Sequence, residues 1–170
     1  MHIDIIFHGK CLDITKNVTK NALEVFFPKI EASYMTLDLD IEYAYDPIRK
    51  QYNAELILDQ IAKKYKTPRI FLLIVPYNIY VPPLNFVFGV AYPGKGAIIS
   101  TYMLRMNAGE DLFTSRLEKT IKHELGHVFG LPHCSNPCVM RFANSLFELD
   151  MKSKDFCPSC SAFLKKVEVI

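Results

Sequence analysis

The stretch His123-Glu124-Leu125-Gly126-His127-Val128-Phe129-Gly130-Leu131-Pro132-His133 carries three of the chain's five histidines. On an α-helix His123 and His127 stand roughly 6 Å apart along the axis and about 40° apart around it, so both imidazoles can reach one ion. Were the helix to continue, His133 would lie roughly 15 Å beyond His123 and about 80° round from it, out of reach of that ion. The chain must therefore turn back after His127. Gly130 can take the positive φ that ends a helix and Pro132 cannot continue one, so the residues between the second and third histidine supply the turn. Three neutral imidazoles leave one tetrahedral position of a zinc ion open, as a catalytic site requires. Glu124 is next to a ligand but points elsewhere. It is the candidate general base, taking a proton from a water that attacks a carbonyl and passing it to the leaving amine. A bare His-Glu-x-x-His can also be a salt-bridged helix surface; Gly130 and His133 are what point to a metal.

Upstream of this stretch, Ser115 and Glu118 form a possible capping box, and Leu117, Ile121, Leu125 and Val128 give one buried helical face. Before it the pattern alternates. His2 to His8 reads as a strand, and Thr15 to Phe26 as a helix with Val18, Ala22, Val25 and Phe26 on one face, stopped by Pro28. Glu31 to Tyr45 is rich in β-formers. Asn53 can cap a helix running to about Tyr65 with Leu56, Ile57 and Ile61 inward. Ile70 to Val75 is wholly apolar and bounded by prolines, as expected of a central strand covered on both faces. Asn85 to Ala91 and Ala97 to Tyr102 read as strands joined by a Pro- and Gly-containing hairpin loop, an antiparallel edge for the sheet.

Downstream, Cys134, Cys138, Cys157 and Cys160 form two closely spaced pairs, near the spacing by which two chelating turns close a zinc site. Four thiolates leave no open position, so such a zinc would be structural. Buried reduced thiols, two disulfides, or redox use of the second pair are the other readings. Cys11 stands apart as an unpaired thiol.

At 170 residues the chain fits one domain. Residues 1–129 hold the sheet, the helices and the active-site helix; residues 130–170 form the cysteine-bearing C-terminal part. Half the residues are apolar and 22% charged, which places the chain among folded soluble proteins. The net charge of +2 is spread over scattered lysines, which argues against a polyanion partner. Lys152, Lys154, Lys165 and Lys166 are too thin a stripe for nucleic acid to bind at the cysteine element. Met1 to Phe7 lacks the form of a secretory leader, and no apolar run is long enough to span a bilayer, so a cytoplasmic protein without membrane contact is expected.

With the cysteines and Met140, residues 123 to 160 resemble the archaemetzincin family of metzincin metallopeptidases. The resemblance implies an α+β, zincin-like fold: a twisted mixed sheet of about five strands with an antiparallel edge strand, packed on helices. It further implies one catalytic zinc on His123, His127 and His133, and one structural zinc on Cys134, Cys138, Cys157 and Cys160. Met140 would form a Met-turn beneath the catalytic metal, although by itself it reads as a core methionine. The resemblance also suggests that an edge strand pairs with extended substrate, with Phe88, Gly89, Val90 and Ala91 as candidates; the same residues can be ordinary sheet. Tyr102 reads either as a phenol near the oxyanion or as a buried strand tyrosine, and His2 and His8 as bystanders. The expected activity is hydrolysis of peptides or flexible protein segments, terminal or internal, by a monomer with a narrow cleft or strict terminal specificity. The competing reading is a zinc-stabilised interaction module with an inactive histidine site.

Overall fold

A computed structural model describes residues 1–170. Its elements in chain order are β1 (His2–His8), α1 (Asp13–Phe26), β2 (Glu31–Leu37), β3 (Tyr45–Asp46), β4 (Gln51–Asn53), α2 (Ala54–Ala62), β5 (Ile70–Val75), β6 (Ile79–Tyr80), β7 (Gly89–Tyr92), β8 (Gly96–Ser100), α3 (Glu110–Val128), α4 (Leu146–Met151) and α5 (Pro158–Lys166). The main sheet runs β2-β1-β5-β8-β7, parallel except for the β7/β8 hairpin at one edge. This is the mixed five-strand sheet with an antiparallel edge. A second small sheet, β3-β4-β6, lies apart from it.

The central strands are apolar on both sides because each side is covered. Ile70, Leu72 and Ile74 join a core with Val18, Ala22 and Leu23 of α1 and Leu117, Ile121, Leu125 and Val128 of α3. Phe71, Leu73 and Val75 point the other way, onto Ala54, Ile57, Leu58 and Ile61 of α2. Period-2 alternation thus sends neighbouring residues of β5 into different cores, which a continuous apolar run accommodates. The C-terminal part adds Leu149, Leu164 and Val169 to the α1/α3 core.

Several boundaries differ from the sequence reading. The helix α3 begins at Glu110, not at Ser115; its N-cap is Gly109, with no side-chain cap. Phe113 is already buried, and Glu110 and Asp111 place negative charge at the helix's positive end, so the helix gains from starting a turn and a half earlier. Leu56 faces solvent, as does Val25; the inward stripe of α2 is 54, 57, 58 and 61, and the helix ends at Ala62. The Asn53 cap is present, its side chain accepting from the N–H groups of Glu55 (3.1 Å) and Leu56 (3.3 Å). β2 ends at Leu37, and the residues up to Tyr45 form loop and a short 3-10 turn in which Asp40 accepts from Glu42 N–H.

Residues 85–88 are not strand. Arg49 donates to the carbonyls of Leu84 (2.8 Å) and Asn85 (3.1 Å), and Gln51 to that of Asn85 (2.8 Å), so the small sheet holds this segment. β8 likewise stops at Ser100. Tyr102 follows in a turn, exposed, so it is neither a buried strand tyrosine nor part of the cleft described next.

Candidate active site

Helix α3 ends in a Schellman pattern: Leu131 N–H donates to Gly126 O (2.8 Å) and Gly130 N–H to His127 O (3.0 Å). Gly130 sits at φ +107°, which a side chain would strain. The turn brings His133 back over the helix. Ring centroids of His133 lie 5.2 Å from His123 and 4.7 Å from His127. The turn also orients a ligand, since Leu131 O lies 2.7 Å from His127 Nδ1. His123 Nδ1 is 2.9 Å from Val139 O.

These two carbonyls decide the chemistry of the rings. A carbonyl only accepts, so each Nδ1 carries the proton and each Nε2 keeps a lone pair. The two Nε2 atoms are 3.1 Å apart. Two lone pairs at that distance repel unless a cation lies between them, and zinc held at its usual Zn–N length in a tetrahedron sets nitrogens roughly 3.3 Å apart. Burial also lowers the pKa of all three histidines, His123 to about 2, keeping them in the neutral form that binds metal. The donor set fits zinc, with His123, His127 and His133 offering one nitrogen each.

Met140 is fully buried, and its sulfur lies so close to Gly126 that any side chain at that position would overlap it. The thioether thus packs against α3 between the two helical histidines.

The four cysteines also converge. Cys134 and Cys157 sulfurs are 3.8 Å apart, the spacing of roughly 3.8 Å that tetrahedral Zn–S bonds require. Cys138 Sγ accepts from the backbone N–H of Met140 (3.4 Å) and of Cys157 (3.3 Å), as a thiolate would. All five cysteines are free, and Cys11 belongs to neither cluster. The cysteine cluster and the histidine cluster share a backbone segment: Val139, whose carbonyl orients His123, lies between Cys138 and Met140.

Above the histidines runs the edge strand β7. Ser100 N–H donates to Phe88 O (2.9 Å), so that facing pair is hydrogen-bonded and the alternation makes Val90/Ile98 the next. The N–H and C=O groups of Gly89 and Ala91 therefore point away from β8, along the free edge. Glu124 lies directly beneath this strand. A Cβ on Gly89 would fall 2.8 Å from Glu124 Oε1, so only glycine leaves room for the carboxylate. Burial pushes Glu124 up to about 8, with Lys152 pulling the other way. Gly94 N–H, in the β7/β8 loop, donates to Val128 O at the last turn of α3 (2.7 Å).

Between β7 and α3 opens a cavity of about 330 Å³ that contains His123, Glu124, His127 and His133 together with Phe88, Gly89, Val90 and Ala91. Its far wall is Phe142, Ala143, Asn144, Leu149 and Lys152, none of which the sequence reading placed there. These residues sit on irregular chain and a six-residue helix, where no periodicity marks them. One signal was available: Arg116, Lys119 and Lys122 recur every third residue on α3 and are buried, which calls for acceptors on the segment packed against them. Those acceptors lie between Leu149 and Lys154. His2 and His8 are elsewhere: His2 meets Ser33, and His8 Nδ1 accepts from Leu39 N–H (2.9 Å).

The Arg116 guanidinium grips Asp150 through two bonds of 2.8 Å each, and holds its carboxyl below the usual range against the opposing push of burial. Its lowered folded value means the pair stabilises the fold fully above about pH 4 and loses that contribution as pH falls through the folded pKa. Asp150→Asn should therefore be less stable than the parent at neutral pH, with the difference shrinking below about pH 4 in urea denaturation series.

A model of peptidase family M54 matches residues 13–166. An archaemetzincin of Nanoarchaeum equitans is 45% identical over 137 residues, covering 81% of this chain and 74% of the relative. Among solved structures, archaemetzincin from Methanopyrus kandleri superposes with a TM-score of 0.87 at 32% identity, covering 98% of this chain and 94% of that one. Archaemetzincin from Archaeoglobus fulgidus, solved with malonate, gives 0.84 at 34% identity, covering 96% and 99%. The chain belongs to peptidase family M54, the archaemetzincins, a family of zinc metallopeptidases.

Proposed function

We propose that the chain hydrolyses peptide bonds with Glu124 as general base, in a cleft where His123, His127 and His133 hold the catalytic zinc and Cys134, Cys138, Cys157 and Cys160 a structural one. The observation that carries this is the placement of Glu124: beside three converging imidazoles, not among them, and pressed under the free edge of β7. Zinc bound there would polarise the scissile carbonyl and lower the pKa of a water to about 7.

Substrate lies extended along β7, pairing with the N–H and C=O groups of Gly89 and Ala91, which fixes its backbone with little regard to side chains. Phe88 and Val90 flank those groups. Glu124 takes a proton from the attacking water and returns it to the leaving amine. The nearby charge of a bound dication offsets the burial that raises its pKa, so the carboxylate is the working form. An intact Glu124 in an open cleft argues against the binding-module reading.

Two results test this. Chelation should abolish cleavage of a mixed peptide library, followed by mass spectrometry, and added zinc should restore it; the product ends separate terminal trimming from internal cutting. A library left intact before and after restoration would refute the peptidase reading. Gly89→Ala should keep its zinc yet lose about a hundredfold in kcat, because the new methyl displaces the carboxylate. Unchanged kcat would show that Glu124 does not act from the position it occupies.

A further inference from the structure

The cleft contains one cation for which the chemistry above has no use. Lys152 follows α4 directly, and its backbone is held on both sides by α3. Arg116 binds Asp150, Lys119 Nζ donates to the carbonyls of Leu149 (3.0 Å) and Asp150 (2.9 Å), and Lys122 Nζ donates to that of Lys154 (2.6 Å). So fixed, Lys152 directs its side chain into the wall of the active-site cavity.

Its ammonium donates to Arg141 O (3.1 Å) and lies 3.2 Å from His123 Nδ1. The second approach is not a hydrogen bond in the metal-binding tautomer. Val139 O requires the proton on Nδ1, which then has no lone pair to offer. The ion pairs of the chain involve Asp4, Glu31, Asp150 and Asp155, none of them with Lys152. Two of its three N–H groups are thus unspent, beside apolar Phe142 and Leu149. Lys152 is half-buried, and Glu124, the one carboxylate lining the cavity, makes no ion pair with it, so an incoming anion can take the free N–H groups.

We propose that Lys152 is a specificity-determining residue that binds a carboxylate of the substrate, on the leaving-amine side of the scissile bond. Lys152 and Glu124 line one cavity and feel each other's charge, and Glu124 hands its proton to the amine, so the portion of substrate nearest Lys152 is the one that departs with that amine. The carboxylate is either an acidic side chain just after the cut or the C-terminus of a short peptide. The proposal rests on the peptidase reading, because it takes the occupant of the cleft to be a peptide.

Binding separates the two. Calorimetry on the zinc-loaded Glu124→Ala protein would use alanine tetrapeptides in which Glu or Gln is scanned through the positions, each as free acid and as amide. At one position, the carboxylate-bearing peptide should bind about tenfold tighter than its neutral partner. Adding Lys152→Met should shrink that gap to below about twofold while the neutral peptides and the zinc bind as before, and Lys152→Arg should retain it. A gap that follows Glu against Gln identifies a side chain; one that follows acid against amide identifies the terminus. Equal binding of all pairs with Lys152 in place overturns the proposal without any variant. A gap that survives Lys152→Met also overturns it, placing the carboxylate on the metal. If the parent cleaves nothing yet the Lys152-dependent gap is present, the peptidase reading fails and the carboxylate site stands.

Discussion

Glu124→Ala is expected to bind as much zinc as the parent and to cleave peptides about a thousandfold more slowly. General-base catalysis contributes roughly 10²–10⁴ in rate, and Glu124 is the only carboxylate that lines the cavity. The metal is not expected to leave, because Glu124 is not one of the three converging donors and the carbonyls that orient His123 and His127 are untouched. The fold should hold as well, since the side chain makes no hydrogen bond to lose and its burial raises its pKa despite the opposing charge of Lys152, the mark of a charge only partly compensated. Measuring kcat/KM by mass spectrometry alongside zinc content checks both halves. A variant that cuts within about tenfold of the parent would remove Glu124 from the reaction.

Cys138→Ser is expected to release the structural zinc and, with it, to loosen the catalytic one. The first effect is direct: a tetrahedral thiolate site contributes folding free energy of its own, and serine is a poor replacement ligand. The second travels one residue. Cys138 Sγ holds the backbone N–H groups of Met140 and Cys157, and Val139, between Cys138 and Met140, presents its carbonyl to His123. Losing an orienting partner of this kind costs about 10–100-fold in metal affinity. Competition calorimetry should find fewer than two zinc ions per chain and a weaker catalytic site. Limited proteolysis should cut first between residues 134 and 160. Two zinc ions held with parental affinity would show that the cysteines contribute neither.

Much of this was legible in the sequence because the deciding residues are close in the chain. Gly130, Pro132 and His133 encode a turn that returns the third histidine to the other two, and the structure has that turn. The apolar run Ile70 to Val75 likewise admitted one position in the sheet. The edge strand was found but overextended, since nothing local says that Arg49 and Gln51, more than thirty residues away, hold the backbone of residues 84 and 85. Ser115 offered an acceptable cap, and burial of Phe113 together with the acidic first turn outweighed it. Lys152 was read only as one of a scatter of lysines too thin to bind nucleic acid. Its placement depends on three basic side chains of α3 reaching across to an irregular segment; their three-residue recurrence marks a face of the helix but not the segment that it grips.

The hydrogen bond from Gly94 to Val128 joins the strand above the cleft to the helix below it. The two jaws are thus tied at one end, where parting them would cost a backbone hydrogen bond of about 1 kcal/mol. On the proposed mode of binding, a slot closed at that end is expected to take one extended strand beside Gly89 and Ala91 and to turn away a packed helix or a folded surface.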